Sequence, residues 1–394
     1  MLHNLSQEQI SLIHSYIDYQ RFCYNWALEN WNRKYEETGK SSGYYELSTL
    51  FTEFRNKDEN KWMLDFDSGA GKIAIRHLCT GFKKYFGKHC KHPHFHKKKR
   101  SKKRFGVRSS RVCFSGENNR YLGIPGFWSD DKKRLWFDCK NNPIPVGDNI
   151  KYYNGTLSFD GLNYWFSVST VDINENQENI SIEADEEPLG IDIGIRTTAT
   201  LSDGTMYDPP NPYRVKILNN RIKKIEKATS RDRRRRLDKA AHMRVKYDDI
   251  PKSNNQIKRE RKLIKAYQDL HNLYDTHFHK VSKSIADKHP SFIVLERTNF
   301  RSMGRKSKLF SKNFSKVPLY TLSKYIEYKC ADNGSTIIKA PYDFKSTKIC
   351  YRCGNETDIG KSKIYRCPCC GLEIDRDINA AYNLLDYGKK LQSI

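Results

Sequence analysis

The chain is 394 residues long and 37% hydrophobic, with a formal net charge of +25 and a pI near 9.5. That length can hold two or three domains with buried cores, and the lack of a long apolar run or a leader-like N-terminus argues against membrane insertion and predicts a cytoplasmic protein, nucleoid-associated in a bacterium or archaeon. A chain this basic repels itself unless a polyanion is present, so nucleic acid is the expected partner.

Ser6-Gln7-Glu8-Gln9 has the form of a capping box. Ile10, Ile13, Tyr16, Ile17, Cys23 and Trp26 recur behind it at helical spacing, which predicts a helix from about Ser6. Leu47, Leu50, Phe51 and Phe54 predict a second helix, and Ile73, Ala74, Leu78, Phe82 and Phe86 a third. Residues 1–92 are therefore expected to form a small helical bundle whose aromatic stripe is core rather than a base-stacking platform. His92, His94 and His96 alternate beside a lysine run without a second ligand group, and read as a solvated basic strand edge rather than a metal site.

Lys97, Lys98, Lys99, Arg100, Lys102, Lys103 and Arg104 form the densest charge run. It is a candidate contact to a phosphate backbone, with a localisation-like patch or a solvated loop as the alternatives. From Phe105 the chain turns to short strands separated by turn signals, among them 111–114, 121–125, 134–137, 149–153, 155–159 and 164–169, which predict a small antiparallel barrel over 93–173. Residues 174–188 invert the charge, with Glu175, Glu178, Glu183, Asp185, Glu186 and Glu187, and lack periodicity, as a linker does.

Leu189 to Leu201 reads as a buried strand feeding an antiparallel hairpin, interrupted by one carboxylate, Asp192. Burying an unpaired carboxylate costs several kcal/mol, so Asp192 should be protonated, paired or bound to a metal unless it is a solvated strand end. Phe292-Ile293-Val294-Leu295-Glu296 is a second apolar strand ending in an acid, and Asp375-Arg376-Asp377 opens a helix. Three acids on separate elements suit a site holding two divalent cations about 3.5–4 Å apart. Between the strands lies a long helical insert. Its polar face carries Arg221, Lys223, Lys224, Arg231, Arg233, Arg234, Arg235, Arg236, Lys258, Arg259, Arg261 and Lys262, too few acids for a salt-bridged surface and better suited to tracking phosphates.

Of the eleven cysteines, Cys23, Cys79, Cys90, Cys113, Cys139 and Cys330 are scattered and read as core residues. Such an odd, mostly unpatterned count argues against a disulfide framework. Cys350, Cys353, Cys367 and Cys370 form two knuckles separated by thirteen residues, each followed by glycine, with Cys369 left over. Two such knuckles point to one structural Zn²⁺ held by four thiolates rather than to a redox dithiol.

The order of strand, hairpin, third strand (Thr205-Met206-Tyr207), helical insert, strand, strand (Thr336-Ile337-Ile338-Lys339) and final helix resembles an RNase H-like nuclease. With a cysteine ribbon placed just before the Asp377 helix, the chain resembles the TnpB family, transposon-encoded RNA-guided nucleases with a RuvC-type catalytic domain, related to compact type V CRISPR effectors. The resemblance implies an α/β chain with an RNase H-like (RuvC) nuclease core and its helical insert over 189–344, a zinc ribbon insertion over 345–374 and a last RuvC segment over 375–394. It also implies an N-terminal β-barrel (wedge) domain carrying a helical recognition lobe. The family opens with a strand rich in Tyr, Lys and Arg, whereas this chain starts almost directly at its helix, as a shortened barrel or a late start codon would explain. The implied catalytic residues are Asp192, Glu296 and Asp377, binding two Mg²⁺ or Mn²⁺ ions. Asp377 is chosen over Asp375 because Ile378-Asn379-Ala380-Ala381 follows it as in the family motif, which leaves Asp375 to support the site from behind or to lie on the ribbon surface; a plain N-cap role for Asp377 is the alternative. The implied partners are a guide RNA and target DNA, with the basic insert along their duplex. An inactive RNA-guided DNA-binding regulator and an RNase H-like transposase are the rival readings.

Overall fold

The computed structural model describes residues 1–98, 101–108, 112–129, 131, 133–140, 144–153, 155–173, 187–297, 317–360 and 362–392. They fall into two compact units, Met1–Gln177 and Glu178–Ile394. No described helix is long and apolar enough to cross a membrane. Most of the acidic stretch expected to be a linker lies outside the described residues.

In the first unit, α1 (Gln7–Thr38) is followed by α2 (Tyr44–Arg55) and α3 (Ser68–Phe86). The capping box forms as the sequence predicts: Gln9 N–H donates to Ser6 Oγ at 3.1 Å, and Ser6 N–H to Gln9 Oε1 at 2.8 Å. Gly39 ends α1 in the left-handed region at φ 67°, where a side chain would be strained. The aromatic stripe is core: Tyr16 stacks between Phe105 at 5.2 Å and Phe127 at 4.8 Å. The buried Gln20 amide joins α1 to both neighbours, donating to the carbonyls of Ala70 (2.7 Å) and Gly106 (2.8 Å).

Eight strands follow among the described residues: β1 (Arg104–Val107), β2 (Cys113–Ser115), β3 (Tyr121–Trp128), β4 (Arg134–Asp138), β5 (Ile150–Tyr152), β6 (Gly155–Phe159), β7 (Tyr164–Ser167) and β8 (Thr170–Asp172). The expected barrel does not close among the described residues. The strands make three separate small sheets, β1-β6-β7, β2-β3-β4 and β5-β8. A register shift between Gly123 and Trp128 breaks the β3–β4 ladder. The inward faces of β1 and β3 pack against Tyr16 of α1, so they bury their apolar side chains without closing on each other. Leu2 and His3 form isolated bridges with Tyr164 and Asp138.

The second unit is built on a five-stranded sheet of β9 (Leu189–Ile193), β10 (Ala199–Leu201), β11 (Met206–Tyr207), β12 (Phe292–Glu296) and β13 (Thr336–Ala340). Their spatial order is β11-β10-β9-β12-β13; the first three are antiparallel, and β12 runs parallel to both β9 and β13. The insert forms two long helices, α4 (Pro212–His242) and α5 (Asn254–Ala286). A helix absent from the sequence reading, α6 (Leu319–Asp332), precedes β13 and buries Leu319, Leu322, Ile326 and Cys330. One face of the sheet, with Leu189, Ile191, Ile293 and Leu295, packs on α5 and α6. The last helix, α7 (Arg376–Gln392), covers the opposite face with Leu384 against Val294 and Ala340.

Of the scattered cysteines, Cys23, Cys139 and Cys330 are buried as expected, Cys79 and Cys113 are half-buried, and Cys90 is exposed.

Candidate functional site

Strand periodicity settles where the acids of the sheet point. Leu295 stands opposite Ile191 across the parallel β12–β9 pair. Both are fully buried toward α5 and α6, so Gly190, Asp192, Val294 and Glu296 face the other side. That is the side α7 covers: a β-carbon on Gly190 would stand 2.0 Å from the Ala381 carbonyl oxygen, and one on Gly388 would stand 2.4 Å from Val294 Cγ2. From that crossing, Asp377 lies four residues back along α7, about 6 Å. Asp192 lies two residues forward along β9, about 6.6 Å. Because α7 runs against the direction of β9, the two offsets coincide and bring Asp377 to Asp192, with Glu296 on the adjacent strand.

The electrostatics agree with this convergence. Burial of its carboxyl, with the Asp377 and Glu296 charges beside it, pushes Asp192 up to about 7, against partial relief from Arg376. Burial raises Glu296 as well. Arg376 donates to Asp377 Oδ1 from Nε at 3.2 Å and from Nη2 at 3.1 Å. Asp375 Oδ1 accepts the N–H groups of Asp377 (2.8 Å) and Ile378 (3.3 Å), so Asp375 is the N-cap of α7 and Asp377 is released from that role.

Thr200 pairs with Asp192 across β9 and β10. Its hydroxyl is buried with no hydrogen-bond partner. Three converging acids, beside a buried hydroxyl without a hydrogen-bond partner, fit hydrated divalent cations. The acids are spaced more widely than a single-ion cage, since among the described residues only the cysteine group brings three or more ligand atoms within 4.8 Å of one another. Sequence reading missed Thr200 and Arg376; the strict alternation Thr198, Thr200, Ser202 beside Asp192 was the available signal for the first.

That cysteine group is Cys350, Cys353, Cys367 and Cys370. The sulfurs of Cys350 and Cys370 lie 3.6 Å apart, and those of Cys353 and Cys367 3.5 Å. Four sulfurs each about 2.3 Å from a tetrahedral zinc would be about 3.8 Å from one another, so the cluster has the size of a Zn²⁺ site. Gly354 and Gly371 take φ 75° and 67°, the left-handed turns the knuckles need. Backbone N–H groups of Cys370 and Cys369 draw the Cys367 thiol down to about 6, toward the thiolate a metal binds. Cys369 is exposed and outside the group. The hairpin of β14 (Ile364–Arg366) and β15 (Glu373–Asp375) carries the second knuckle straight into α7.

The basic candidates divide. Lys97, Lys98, Lys102, Lys103 and Arg104 are exposed, although Lys98 also pairs with Asp18 at 2.7 Å; Lys99 and Arg100 lie outside the described residues. Lys102, Lys103 and Arg104 line an open hollow of about 520 Å³ with the hydroxyl-bearing Thr156, Ser158 and Ser167. Along α4, Arg233, Arg234 and Arg235 are exposed. Arg236 instead turns inward, donating to Tyr247 Oη at 3.0 Å, to the Tyr247 carbonyl at 3.2 Å and to the Ile250 carbonyl at 3.1 Å. Arg259 is likewise held by the buried Asp232 at 2.8 Å.

A family model described as a Cas12f1-like TNB domain matches residues 320–384, from α6 through the cysteine ribbon into α7. Another, described as a helix-turn-helix domain, matches residues 5–40, a region that is one uninterrupted helix here. The chain is 25% identical over 386 residues to the protein named "Putative RNA-guided DNA endonuclease InsQ" of Escherichia coli K12, across 93% of this chain and 86% of that protein. A Streptomyces pristinaespiralis protein of the same description is 26% identical over 369 residues, covering 93% of this chain and 83% of the relative. TnpB-like protein L79 of Acanthamoeba polyphaga mimivirus is 28% identical over 222 residues, covering 53% of this chain and 39% of the relative. Among solved structures, a cryo-EM structure of a Cas12f1–sgRNA–target DNA complex aligns over 96% of this chain and 95% of that one, at 14% identity and a TM-score of 0.32. The chain is thus similar along nearly its whole length to proteins described as RNA-guided DNA endonucleases and over about half of it to a TnpB-like protein, with a matched domain that ends inside α7.

Proposed function

We propose that this chain is a transposon-associated RNA-guided DNA endonuclease, cleaving phosphodiester bonds of target DNA with Asp192, Glu296 and Asp377 as its divalent-cation ligands. The observation that carries the reading is the meeting of these three acids on the α7 face of the sheet, where burial, and after it the Asp377 and Glu296 charges, raises Asp192 to about 7. The strand order β11-β10-β9-β12-β13, with α7 on one face, supports an RNase H-like, RuvC-type core. The cysteine group supports one structural Zn²⁺.

Two Mg²⁺ or Mn²⁺ ions bound there would supply the activated water and the stabilisation of the leaving oxygen. The chain's own contribution is positional. β9 and β12 fix two carboxylates side by side, α7 brings the third, and Arg376 holds Asp377 by one oxygen. The exposed Arg233, Arg234 and Arg235, together with Lys97 to Arg104, supply phosphate contacts that give affinity without sequence choice, which base pairing with the guide then provides.

The test is cleavage of a labelled duplex by protein with and without its co-purified RNA, each with and without Mg²⁺. Cutting only with both supports the proposal. Guide-directed binding without cutting in Mg²⁺ would identify a regulator, and strand joining a transposase.

A further inference from the structure

α7 carries two faces. Asp377, Ala380, Ala381, Leu384 and Gly388 recur at helical spacing on the sheet side. Asn379 and Asn383, one turn apart, point to the first cysteine knuckle. Asn379 is fully buried and Asn383 is 6% exposed. Asn379 Nδ2 donates to the Ile349 carbonyl at 2.7 Å, while its Oδ1 accepts the Tyr351 N–H at 3.1 Å. One side-chain amide thus grips the backbone on both sides of Cys350. Asn383 Nδ2 donates to the same Ile349 carbonyl and to that of Ser346, both at 2.7 Å. The rings of Tyr351 and Tyr382 stack beside them at 4.7 Å.

The packing of α7 on the sheet is made by other residues, Ala381, Leu384 and Gly388. A buried amide deprived of its partners costs on the order of 1–3 kcal/mol, so Asn379 and Asn383 hold the knuckle backbone in one place. The knuckle itself has a fixed shape only when its thiolates are gathered on a metal. Asn379 is two residues from Asp377 on the same rigid helix.

We infer that Asn379 and Asn383 are positioning residues that read the state of the Cys350 knuckle and transmit it to Asp377, so that zinc in the cysteine site tunes divalent-cation affinity at the carboxylates. The inference rests on the proposed roles of the carboxylates and cysteines. Coupling between two sites through one shared element typically changes affinity about 5- to 150-fold.

The test uses the full chain with its co-purified RNA and follows Mn²⁺ binding by electron paramagnetic resonance, with zinc content measured in parallel. In wild-type protein, stripping zinc with a thiol-reactive reagent, quenched before titration, should weaken Mn²⁺ binding about tenfold. Asn379→Ala should retain one zinc and yet show that weakening already, and stripping its zinc should add little more, which is the signature of two changes acting on one pathway. Asn379→Asp keeps the acceptor for Tyr351 N–H and should fall between. Should Asn379→Ala lose its fold, Asn383→Ala, which leaves Asn379 on both sides of Cys350, carries the same comparison with a smaller shift.

If zinc removal weakens Mn²⁺ binding equally in wild type and variant, the inference is overturned and β15, which also joins ribbon to helix, carries the coupling. Equal Mn²⁺ affinity with and without zinc overturns it too. Absence of any Mn²⁺ binding that Asp192→Ala abolishes would instead remove the carboxylate reading, and this inference with it.

Discussion

Gly190 and Ala381 stand in backbone contact: a β-carbon on the glycine would lie 2.0 Å from the Ala381 carbonyl oxygen and 2.6 Å from the Leu385 nitrogen. The obstacle is helix backbone, so α7 must move as a body to admit even a methyl group. Gly190→Ala is expected to destabilise the second unit by about 1–3 kcal/mol or more and to depress the proposed cleavage further by lifting Asp377 away from Asp192. Gly388→Ala meets the side chains of Val294 and Phe292 instead and should cost less. Denaturant unfolding of the two variants, with cleavage rates beside it, checks the order.

The same packing makes the acids separable from binding. Asp192→Ala, Glu296→Ala and Asp377→Ala should each abolish cleavage while guide-directed DNA binding stays within a few-fold of wild type. Asp375→Ala, which removes the cap of α7, should lose about 1 kcal/mol of stability and keep measurable cleavage. A cutting Asp377→Ala protein would transfer the catalytic role to Asp375.

Much of this site was readable from residue order, because strands ending in acids and a helix opening with one are local signals. Asp192 and Glu296 announced themselves as charges in apolar runs. Asp377 was chosen over Asp375 from the residues that follow it, and the cap geometry, in which Asp375 reaches the first turn of the helix, is an independent reason that residue order does not carry. The helix α6 went unread although its buried Leu319, Leu322, Ile326 and Cys330 follow helical spacing, because Tyr320, Tyr325, Tyr328 and Ala331 between them blur the apolar stripe. The barrel was over-read: short strands with turn signals are compatible with three small sheets as much as with one closed one, and packing against α1 decides between them. Arg236 could not be told from Arg233 to Arg235 by composition, since only its inward direction toward Tyr247 and Ile250 separates it.

The raised Asp192 gives a pH signature in protein without added Mg²⁺. Its carboxyl goes from the usual 3.8 to about 7 on folding, chiefly through burial. Between those values the folded chain holds more proton than the unfolded one, so this stability contribution is fully present below about pH 4 and is lost as pH rises through about 7. Asp192→Asn should therefore be more stable than wild type at pH 8, by roughly 2–4 kcal/mol, with the gap closing toward pH 4. Thermal unfolding across that range measures it, and added Mg²⁺ should shrink the gap at pH 8. A gap that widens toward acid pH would contradict the assignment.

The cysteines make a sharper contrast. Cys350→Ser or Cys367→Ser should lose the bound zinc and lower the unfolding temperature of the second unit, because metal binding and folding of such a ribbon are one equilibrium. Cys369→Ser, outside the group, should keep one zinc and an unchanged melting curve. Metal analysis after gel filtration reads both, and one equivalent of zinc persisting in Cys350→Ser would sink the ligand set.

The four consecutive arginines of α4 allow charge and structure to be separated within one turn of helix. Arg233, Arg234 and Arg235 are exposed. Each cation withdrawn from a phosphate lowers the slope of log affinity against log salt by about 0.7–0.9, so replacing all three with glutamine should flatten RNA binding by up to roughly 2–3 in slope, about equally for every guide sequence. Arg236 is bound to Tyr247 and to the Ile250 carbonyl, with its guanidinium 4.3 Å from the Tyr247 ring centre. Its change to alanine leaves carbonyls of the α4–α5 connection short of a donor, which should cost about 1–3 kcal/mol and leave the salt slope unaltered. Filter binding of radiolabelled RNA at several salt concentrations, paired with unfolding curves, distinguishes the two effects. An Arg236→Ala protein with normal stability and a reduced slope would return that residue to the phosphate-binding face.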